Sequence, residues 1–331
     1  MLQAQNYTAE RMTIDGMQVV LLADSAAGIE VRIVPEIGNN AYSMKVKGHE
    51  VMWSPFKMLT DWRQKPAMAG NPLLAPWANR LDQDAIFANG KRYALNDSLG
   101  NVRRDGNGKP IHGLVTFASQ WRVMEVAATA DDGASVTSRL EFFREPDWMA
   151  QFPLAHTIEM RYRLRGGALQ VETVIENLSS ASMPVSIGYH PYFQLTDSPR
   201  DEWQVSLPAR EAVVLSNLLI PTGEKTPRDP APMLPLRGTQ LDNVYSGLER
   251  GKDGKSVFFV QGRSQKLAVE YGPNYPVAVV YAPAGRAFIC FEPMAGLTNA
   301  INLAHEGKAS LQTIAAGGQW RESYWIRPSG F

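Results

Sequence analysis

The fold class can be read from one stretch, His156-Thr157-Ile158-Glu159-Met160-Arg161-Tyr162-Arg163-Leu164-Arg165-Gly166-Gly167. Apolar or aromatic residues alternate in it with polar ones. Successive side chains of a β-strand point to opposite faces, so one face of this strand is expected in a core and the other in water. The Gly166-Gly167 pair allows the positive φ angles that a tight hairpin turn requires. The stretch therefore predicts an antiparallel hairpin in a sheet with one buried face.

The same period of two recurs along the chain in short segments bounded by Gly, Pro, Asn or Asp. These segments are residues 17–23, 29–35, 41–47, 121–129, 135–143 and 277–282. Asn89-Gly90 marks a second hairpin. Helical turns are expected at most in residues 295–303 and 310–316, and the proline-rich residues 221–235 are expected to form a long surface connection. The pattern predicts an all-β fold, a large antiparallel β-sandwich in which residues 1–331 form a single domain.

Composition narrows the class of protein and its partners. The chain has 33 Lys and Arg residues against 33 Asp and Glu residues, so it lacks the basic excess of a nucleic-acid binder. Its single cysteine, Cys290, excludes an internal disulfide framework and a thiolate metal cluster. Neither a leader peptide nor a long apolar segment is evident, although a secreted protein whose leader had been removed would look the same. We expect a cytoplasmic protein, a monomer or homodimer, with no nucleic-acid or membrane partner.

His190 is the first candidate for chemistry, in the segment Gly188-Tyr189-His190-Pro191-Tyr192-Phe193. Residues 183–187 alternate like a half-buried strand, and Pro191 cannot continue a central strand, so His190 is expected at a strand end. An imidazole titrates near neutral pH, which makes it a candidate acid or base. The alternative is a histidine at the edge of the core that bonds to a backbone carbonyl.

Glu292 is the second candidate, directly after the apolar residues 287–291 and before Pro293. This position predicts a carboxylate that leaves a strand end in apolar surroundings. Burial raises the pKa of a carboxyl and suits it to act as a base near neutral pH. The alternative is a glutamate bonded to nearby backbone amides.

Three weaker candidates are His112, Arg80 and Asp242. His112 precedes a glycine in a turn-rich segment, Arg80 follows the uncharged residues 71–79, and Asp242 could accept from hydroxyl groups. The alternatives are a structural ion pair for Arg80 and an Asx-turn for Asp242. No paired-histidine metal motif, G-x-S-x-G elbow or phosphate-binding glycine loop occurs. We therefore expect neither a metal nor a cofactor.

Five segments in order resemble the aldose 1-epimerase (mutarotase) family. They are residues 71–80, 111–113, 187–193, 241–245, and 291–294 with 298–302. The resemblance covers most of the chain and implies a galactose mutarotase-like β-sandwich with a concave sugar site. It implies an isomerase that interconverts the α and β anomers of a free hexose without a cofactor.

The resemblance also implies roles for the candidate residues. Glu292 aligns with the general base and His190 with the general acid, while His112, Arg80 and Asp242 align with positions that bind the sugar. Trp77 or Tyr192 would offer the sugar ring an apolar face.

Some residues depart from the galactose-specific pattern and leave alternatives open. Gln194 stands where asparagine is common and Leu114 where a second glycine is common, which puts galactose in doubt. A hexose-6-phosphate 1-epimerase would need basic residues at the rim, for which Arg63, Lys65, Arg103 and Arg104 are candidates. A non-catalytic carbohydrate-binding β-sandwich is a further alternative. A glycoside-acting enzyme would need two carboxylates at a set separation, in principle Glu292 and Asp242.

Overall fold

A computed structural model describes residues 6–331, and within that range the chain is built from β-strands and three short α-helices. The helices are α1 (Leu59–Gln64), α2 (Pro146–Gln151) and α3 (Ala300–His305). The strands are β1 (Tyr7–Ile14), β2 (Met17–Asp24), β3 (Ile29–Val34), β4 (Asn40–Val46), β5 (His49–Glu50), β6 (Leu73–Leu74), β7 (Ala85–Ala88), β8 (Lys91–Ala94), β9 (Arg122–Thr129), β10 (Gly133–Glu141), β11 (His156–Arg165), β12 (Ala168–Asn177), β13 (Met183–Val185), β14 (Gly188–Tyr189), β15 (Tyr192–Phe193), β16 (Gln204–Ser206), β17 (Ala209–Leu215), β18 (Pro221–Pro227), β19 (Leu234–Pro235), β20 (Leu241–Leu248), β21 (Ser256–Gln261), β22 (Lys266–Tyr271), β23 (Val277–Ala282), β24 (Ile289–Met294), β25 (Gln312–Ile314) and β26 (Gln319–Ser329).

Three larger sheets and two strand pairs account for these strands. A five-stranded sheet has the order β1-β2-β3-β4-β5, and a nine-stranded sheet has the order β19-β16-β21-β22-β26-β12-β11-β10-β9. An eight-stranded sheet has the order β18-β17-β20-β23-β24-β14-β6, with β15 also paired to β24. The strand pairs are β13-β25 and β7-β8. Each named strand of residues 6–331 runs antiparallel to the strands it pairs with, as the sequence predicts.

The nine-stranded and eight-stranded sheets bury their inner faces against each other. Tyr324 of β26 packs on Tyr189 of β14 with ring centroids 4.9 Å apart. The ring centroids of Phe258 of β21 and Phe291 of β24 are likewise 6.1 Å apart. Because Phe291 points into this core, the next residue, Glu292, points to the opposite face of its sheet. The sandwich thus turns one face of β24 outward, where a site can form.

Both predicted hairpins are confirmed. Strands β11 and β12 pair up to Arg165 and Ala168, and Gly166 and Gly167 between them have φ angles of 55° and 73°. The apolar face of β11 lies in the core, with Tyr162 fully buried. Asn89 and Gly90, with φ angles of 52° and 72°, join β7 to β8. Both turns have the positive φ angles that select Gly and Asn.

Three local predictions are wrong or only partly right. Residues 310–316 contain strand β25 instead of a helical turn, because Ile314 pairs with Met183 of β13 far away in the sequence. The helix expected in residues 295–303 begins only at Ala300. Part of the proline-rich stretch is strand β18, which pairs with β17 at the edge of the sheet, where proline is tolerated. Helices α1 and α2, six residues each, are too short to show a helical period.

Residues 6–331 contain no helix that is both long enough and apolar enough to cross a bilayer. The expected lack of a leader rests on the first residues of the chain. Of these, residues 1–5 lie outside the described residues. The cytoplasmic location therefore stays a prediction.

Candidate active site

A cavity of about 210 Å³ lies on the outward face of the eight-stranded sheet. It brings together all five candidate residues, namely Arg80, His112, His190, Asp242 and Glu292. The sequence places these residues on five separate segments, so their convergence is a result of the fold. Tyr192 and the unpredicted Asn79 and Tyr281 also line the cavity.

Glu292 lies in the middle of the sheet and not at a strand end, which corrects the sequence-based expectation. It is part of β24 and is only 1% exposed. On one side β24 pairs with β23 over most of its length, but on the other side it pairs with β15 at Cys290 and with β14 at Met294. The ladder is therefore interrupted next to Glu292, and Pro293 falls in the same gap.

His190 occupies this gap. It follows strand β14, as predicted, and its backbone amide donates to the carbonyl of Pro72 over 3.1 Å. Its ring stacks on Tyr192 with centroids 4.7 Å apart and planes 8° apart. The Nε2 atom then lies 3.3 Å from Oε1 of Glu292. Strand β24 and the backbone-bonded residue that follows β14 thus hold the base and acid candidates in direct contact.

The pKa values of this pair favour the uncharged form of each partner. The pKa of His190 is lowered to about 3, mainly by burial and in smaller part by the positive charges of Arg103 and Arg80. Burial raises the pKa of the Glu292 carboxyl well above its ordinary value, and the charge of Asp242 adds to the rise. In this uncharged form the pair as a whole holds one proton, which belongs to both groups together.

Several polar atoms of the site are buried without a hydrogen-bond partner among residues 6–331. They are Oε2 of Glu292, Nδ1 of His190 and Nδ1 of His112. Buried polar atoms in proteins are normally hydrogen-bonded, to protein or to ordered water. A ligand with several hydroxyl groups would satisfy these atoms.

His112 is held by an unusual backbone conformation. Its φ angle is 64°, and its amide donates to the carbonyl of Asn79 over 3.0 Å. The next residue, Gly113, has no room for a side chain, since a Cβ there would overlap the carbonyl oxygen of Ala75. The His112 ring meets the His190 ring edge-on at 5.5 Å. Burial lowers the pKa of His112 well below its ordinary value, so a neutral imidazole faces the cavity.

Arg80 forms a structural ion pair and also borders the cavity, where it is a candidate for sugar binding. Its Nε donates to Asp105 over 2.6 Å and its Nη1 to Asn79 over 3.0 Å. These bonds use two of its five N–H groups, and the side chain still borders the cavity. Burial alone would raise the pKa of Asp105, but hydrogen bonds from Arg80 and from backbone amides bring it below its ordinary value.

Asp242 lies in strand β20 opposite Tyr281 of β23, so the Asx-turn alternative is wrong. It is half-buried on the cavity wall. Burial raises the pKa of its carboxyl, while the positive charge of Arg80 opposes the rise. Tyr281, its neighbour across the ladder, enters the cavity because the two residues share a register position.

The two aromatic candidates differ in their position. Tyr192 lines the cavity, whereas Trp77 is fully buried in the main core and does not line it. Gln194 lines a second cavity and not the one around Glu292. Gln194, which differs from the galactose-specific pattern, is therefore not part of the wall of the cavity around Glu292.

The second cavity, of about 300 Å³, surrounds another acid, Glu50. Burial raises the pKa of Glu50, but its carboxyl already accepts from the Ser43 hydroxyl and from the amides of Met44 and Met52. These bonds satisfy the group inside the protein, in contrast to Glu292. Within residues 6–331, no three His, Cys, Asp or Glu side chains are arranged to hold a metal ion.

Comparison with known proteins gives a family match. A family model described as aldose 1-epimerase matches residues 19–327. The sequence is also similar to the uncharacterized protein YihR of Escherichia coli (strain K12), with 28% identity over 150 residues. That match covers 45% of this chain and 44% of YihR, so it spans less than half of this relative's length.

Solved structures agree with the fold. A galactose mutarotase-like protein from Clostridium acetobutylicum has a TM-score of 0.87 at 20% identity, over 98% of this chain and 99% of that chain. Galactose 1-epimerase from Lactobacillus acidophilus NCFM has a TM-score of 0.74 at 14% identity, over 98% of this chain and 99% of that chain. At these identities the likeness concerns the fold, and it confirms the predicted galactose mutarotase-like β-sandwich.

Proposed function

This chain belongs to the aldose 1-epimerase family, and from that membership we propose that it interconverts the α and β anomers of an aldose by general acid–base catalysis. The observation that carries the proposal is the 3.3 Å contact between Nε2 of His190 and Oε1 of Glu292 inside the cavity. The anomeric hydroxyl oxygen and the ring oxygen of a pyranose are bonded to the same carbon. Two groups in contact with each other can therefore reach both oxygens.

The proposed reaction uses the single proton of the pair. Hydrogen bonds from the bound sugar to the unpartnered Oε2 of Glu292 and Nδ1 of His190 would shift the proton from Glu292 to His190, so that Glu292 is ionised. Glu292 removes the anomeric hydroxyl proton, the C1–O1 bond becomes a carbonyl, and the C1–O5 electron pair moves to the ring oxygen, which takes the proton of His190. After rotation about C1–C2, the reverse transfers close the ring on the other face. The pair holds one proton before and after each step, so the cycle needs no proton from solvent.

The remaining cavity residues would hold the sugar. Neutral His112 has one ring N–H to donate to an oxygen on which negative charge develops. Arg80 keeps N–H groups for sugar hydroxyls, and the Asp242 carboxyl accepts from them. Tyr192 or Tyr281 offers the apolar ring face a partner, as aromatic side chains do in polar sites.

The proposal is tested by following the optical rotation of freshly dissolved α-D-glucose, α-D-galactose and L-arabinose, and of glucose 6-phosphate. We expect at least one of them to reach equilibrium faster with the protein than in buffer alone. If none does, while calorimetry detects sugar binding, the protein is a carbohydrate-binding β-sandwich without catalysis, and the proposal fails.

The pH dependence of kcat/KM should lack the acid limb of an ordinary histidine. Burial lowers the pKa of His190 to about 3, so the pair gains a second proton only in strong acid. Its one proton leaves only above the raised pKa of Glu292, so activity is expected to fall on the alkaline side. After subtraction of the buffer rate, we expect kcat/KM for an uncharged sugar to stay level from about pH 5 up to the raised pKa of Glu292. A half-maximal loss near pH 6.5 on the acid side would contradict the shared-proton description.

A further inference from the structure

The half-buried cation Arg103 has no anionic partner among residues 6–331. Its Nη1 lies 3.4 Å from the sulfur of Met68, and its guanidinium lies 4.8 Å over the ring of Phe117. Throughout residues 6–331, no carboxylate or carbonyl oxygen accepts a hydrogen bond from this side chain. A planar guanidinium is suited to bidentate binding of oxyanions, so its contacts with sulfur and an aromatic ring leave its main capacity unused.

The other basic candidates named from the sequence are paired with carboxylates or exposed to solvent. Arg104 lies 2.7 Å from both Asp84 and Asp97. Arg63 lies 3.6 Å from Glu36, and Lys65 is exposed. The phosphate-binding alternative drawn from sequence thus reduces to Arg103.

Arg103 lies next to the cavity wall through its backbone contact with Ile111 and its side-chain contact with Met68. Its backbone carbonyl accepts from the amide of Ile111, which lines the cavity together with His112. Met68, whose sulfur contacts this guanidinium, packs against the cluster that contains Tyr192.

The charge of Arg103 reaches the site. It lowers the pKa of His112 and of His190, in each case after the larger effect of burial. The charge of Arg80 acts on the two cavity carboxyls, Asp242 and Glu292, and on both histidines as well. Arg80 is itself paired with Asp105, whereas the positive charge of Arg103 has no carboxylate partner among residues 6–331.

We propose that Arg103 binds one negatively charged oxyanion on the exocyclic carbon of the aldose, and that an anionic aldose is the preferred substrate. This inference rests on the proposed function, since it assigns the substrate class of the same site. A neutral sugar would leave the half-buried guanidinium without a counter-charge, whereas an oxyanion would pair with it in a charge-assisted hydrogen bond. One arginine balances one negative charge, which favours a monoanion over a dianion.

The test compares kcat/KM for four sugars that share the glucose ring. Glucose is neutral, glucuronate carries a planar monoanion, 6-deoxy-6-sulfoglucose carries a tetrahedral monoanion, and glucose 6-phosphate is mostly a dianion at pH 7.5, since its second pKa is about 6. We expect wild-type kcat/KM for a monoanion to exceed that for glucose by at least about tenfold. The preference should shrink as salt is added.

Variants at two neighbouring positions distinguish a loss of recognition of the negative charge from a general loss of activity. Arg103→Gln should reduce the anion-to-glucose ratio of kcat/KM by about tenfold or more, while Arg103→Lys should retain part of it. Arg104→Gln is the matched control and should keep the wild-type ratio, because that arginine is exposed and paired with Asp84 and Asp97.

The outcomes distinguish this inference from the proposed function. If the wild type accelerates glucose as well as every charged sugar, or if Arg103→Gln lowers all four equally, the inference is overturned and the mutarotase proposal stands. If no sugar is accelerated, the proposed function itself fails. Should Arg103→Gln not fold, the wild-type preference, its salt dependence and the Arg103→Lys ratio decide.

Discussion

Glu292→Gln is expected to lower kcat for mutarotation by about 10²- to 10⁴-fold, the usual contribution of one positioned proton-transfer group. Glutamine has nearly the shape of glutamate, so the contact with His190 at 3.3 Å can be kept as a hydrogen bond. An amide cannot take the proton of the anomeric hydroxyl. The loss should therefore lie in kcat, with KM changed much less.

The same variant should be more heat-stable than the wild type above pH 5. Burial raises the pKa of Glu292 in the folded protein above its ordinary value of 4.5, so the folded state holds this proton more tightly than the unfolded state. The stability it contributes is present below pH 4.5 and is lost as the pH rises through the raised pKa. Glutamine has no charge to bury, so we expect its melting temperature to exceed that of the wild type by about 1–4 °C at pH 8 and by less at pH 5.

Glu50→Gln is the matched control for both measurements. Glu50 is another buried glutamate with a raised pKa, but it lies in the second cavity and its carboxyl is already bonded to Ser43, Met44 and Met52. We expect this variant to keep full kcat and to lose stability. Near-wild-type turnover in Glu292→Gln, with the fold intact by circular dichroism, would remove Glu292 from the role of base.

The sequence predicts the sandwich well because its strands show their buried faces directly. The alternation in residues 156–164 and the turn at Gly166-Gly167 are local signals, and the structure contains both the strand and the turn that they predict. Strand β25 shows where prediction from local pattern fails, because its three residues form a strand only through their pairing with β13. No window along the chain contains that partner.

The site is predictable in its residues but not in its geometry. The apolar run before Glu292 identifies a buried carboxyl, yet the strand continues past Pro293 because the ladder beside it is interrupted by His190. Tyr281 gives no local signal, since it enters the cavity through its register with Asp242. The unpaired state of Arg103 also depends on contacts with Met68 and Phe117 that no spacing reveals.

His190→Gln is the second variant for which a large effect is expected, again about 10²- to 10⁴-fold in kcat. Glutamine can place an amide near the position of Nε2, the atom that faces Glu292, but it cannot protonate the ring oxygen. His156→Gln is the matched control, because His156 is also buried and burial lowers its pKa to about 4. Its ring bonds to the carbonyl of Leu154 in the core, so this variant should lose stability and keep its kcat per folded molecule.

The double variant Glu292→Gln/His190→Gln distinguishes a shared proton from two independent groups. If the two side chains act as one unit, removing either stops the transfer, and the double variant should be about as slow as the slower single variant. Independent groups would give a loss near the product of the two single losses, and that result would contradict the one-proton pair. A His190→Gln protein with kcat within about threefold of wild type would overturn the acid assignment altogether, because stabilisation by hydrogen bonding alone would then account for the rate.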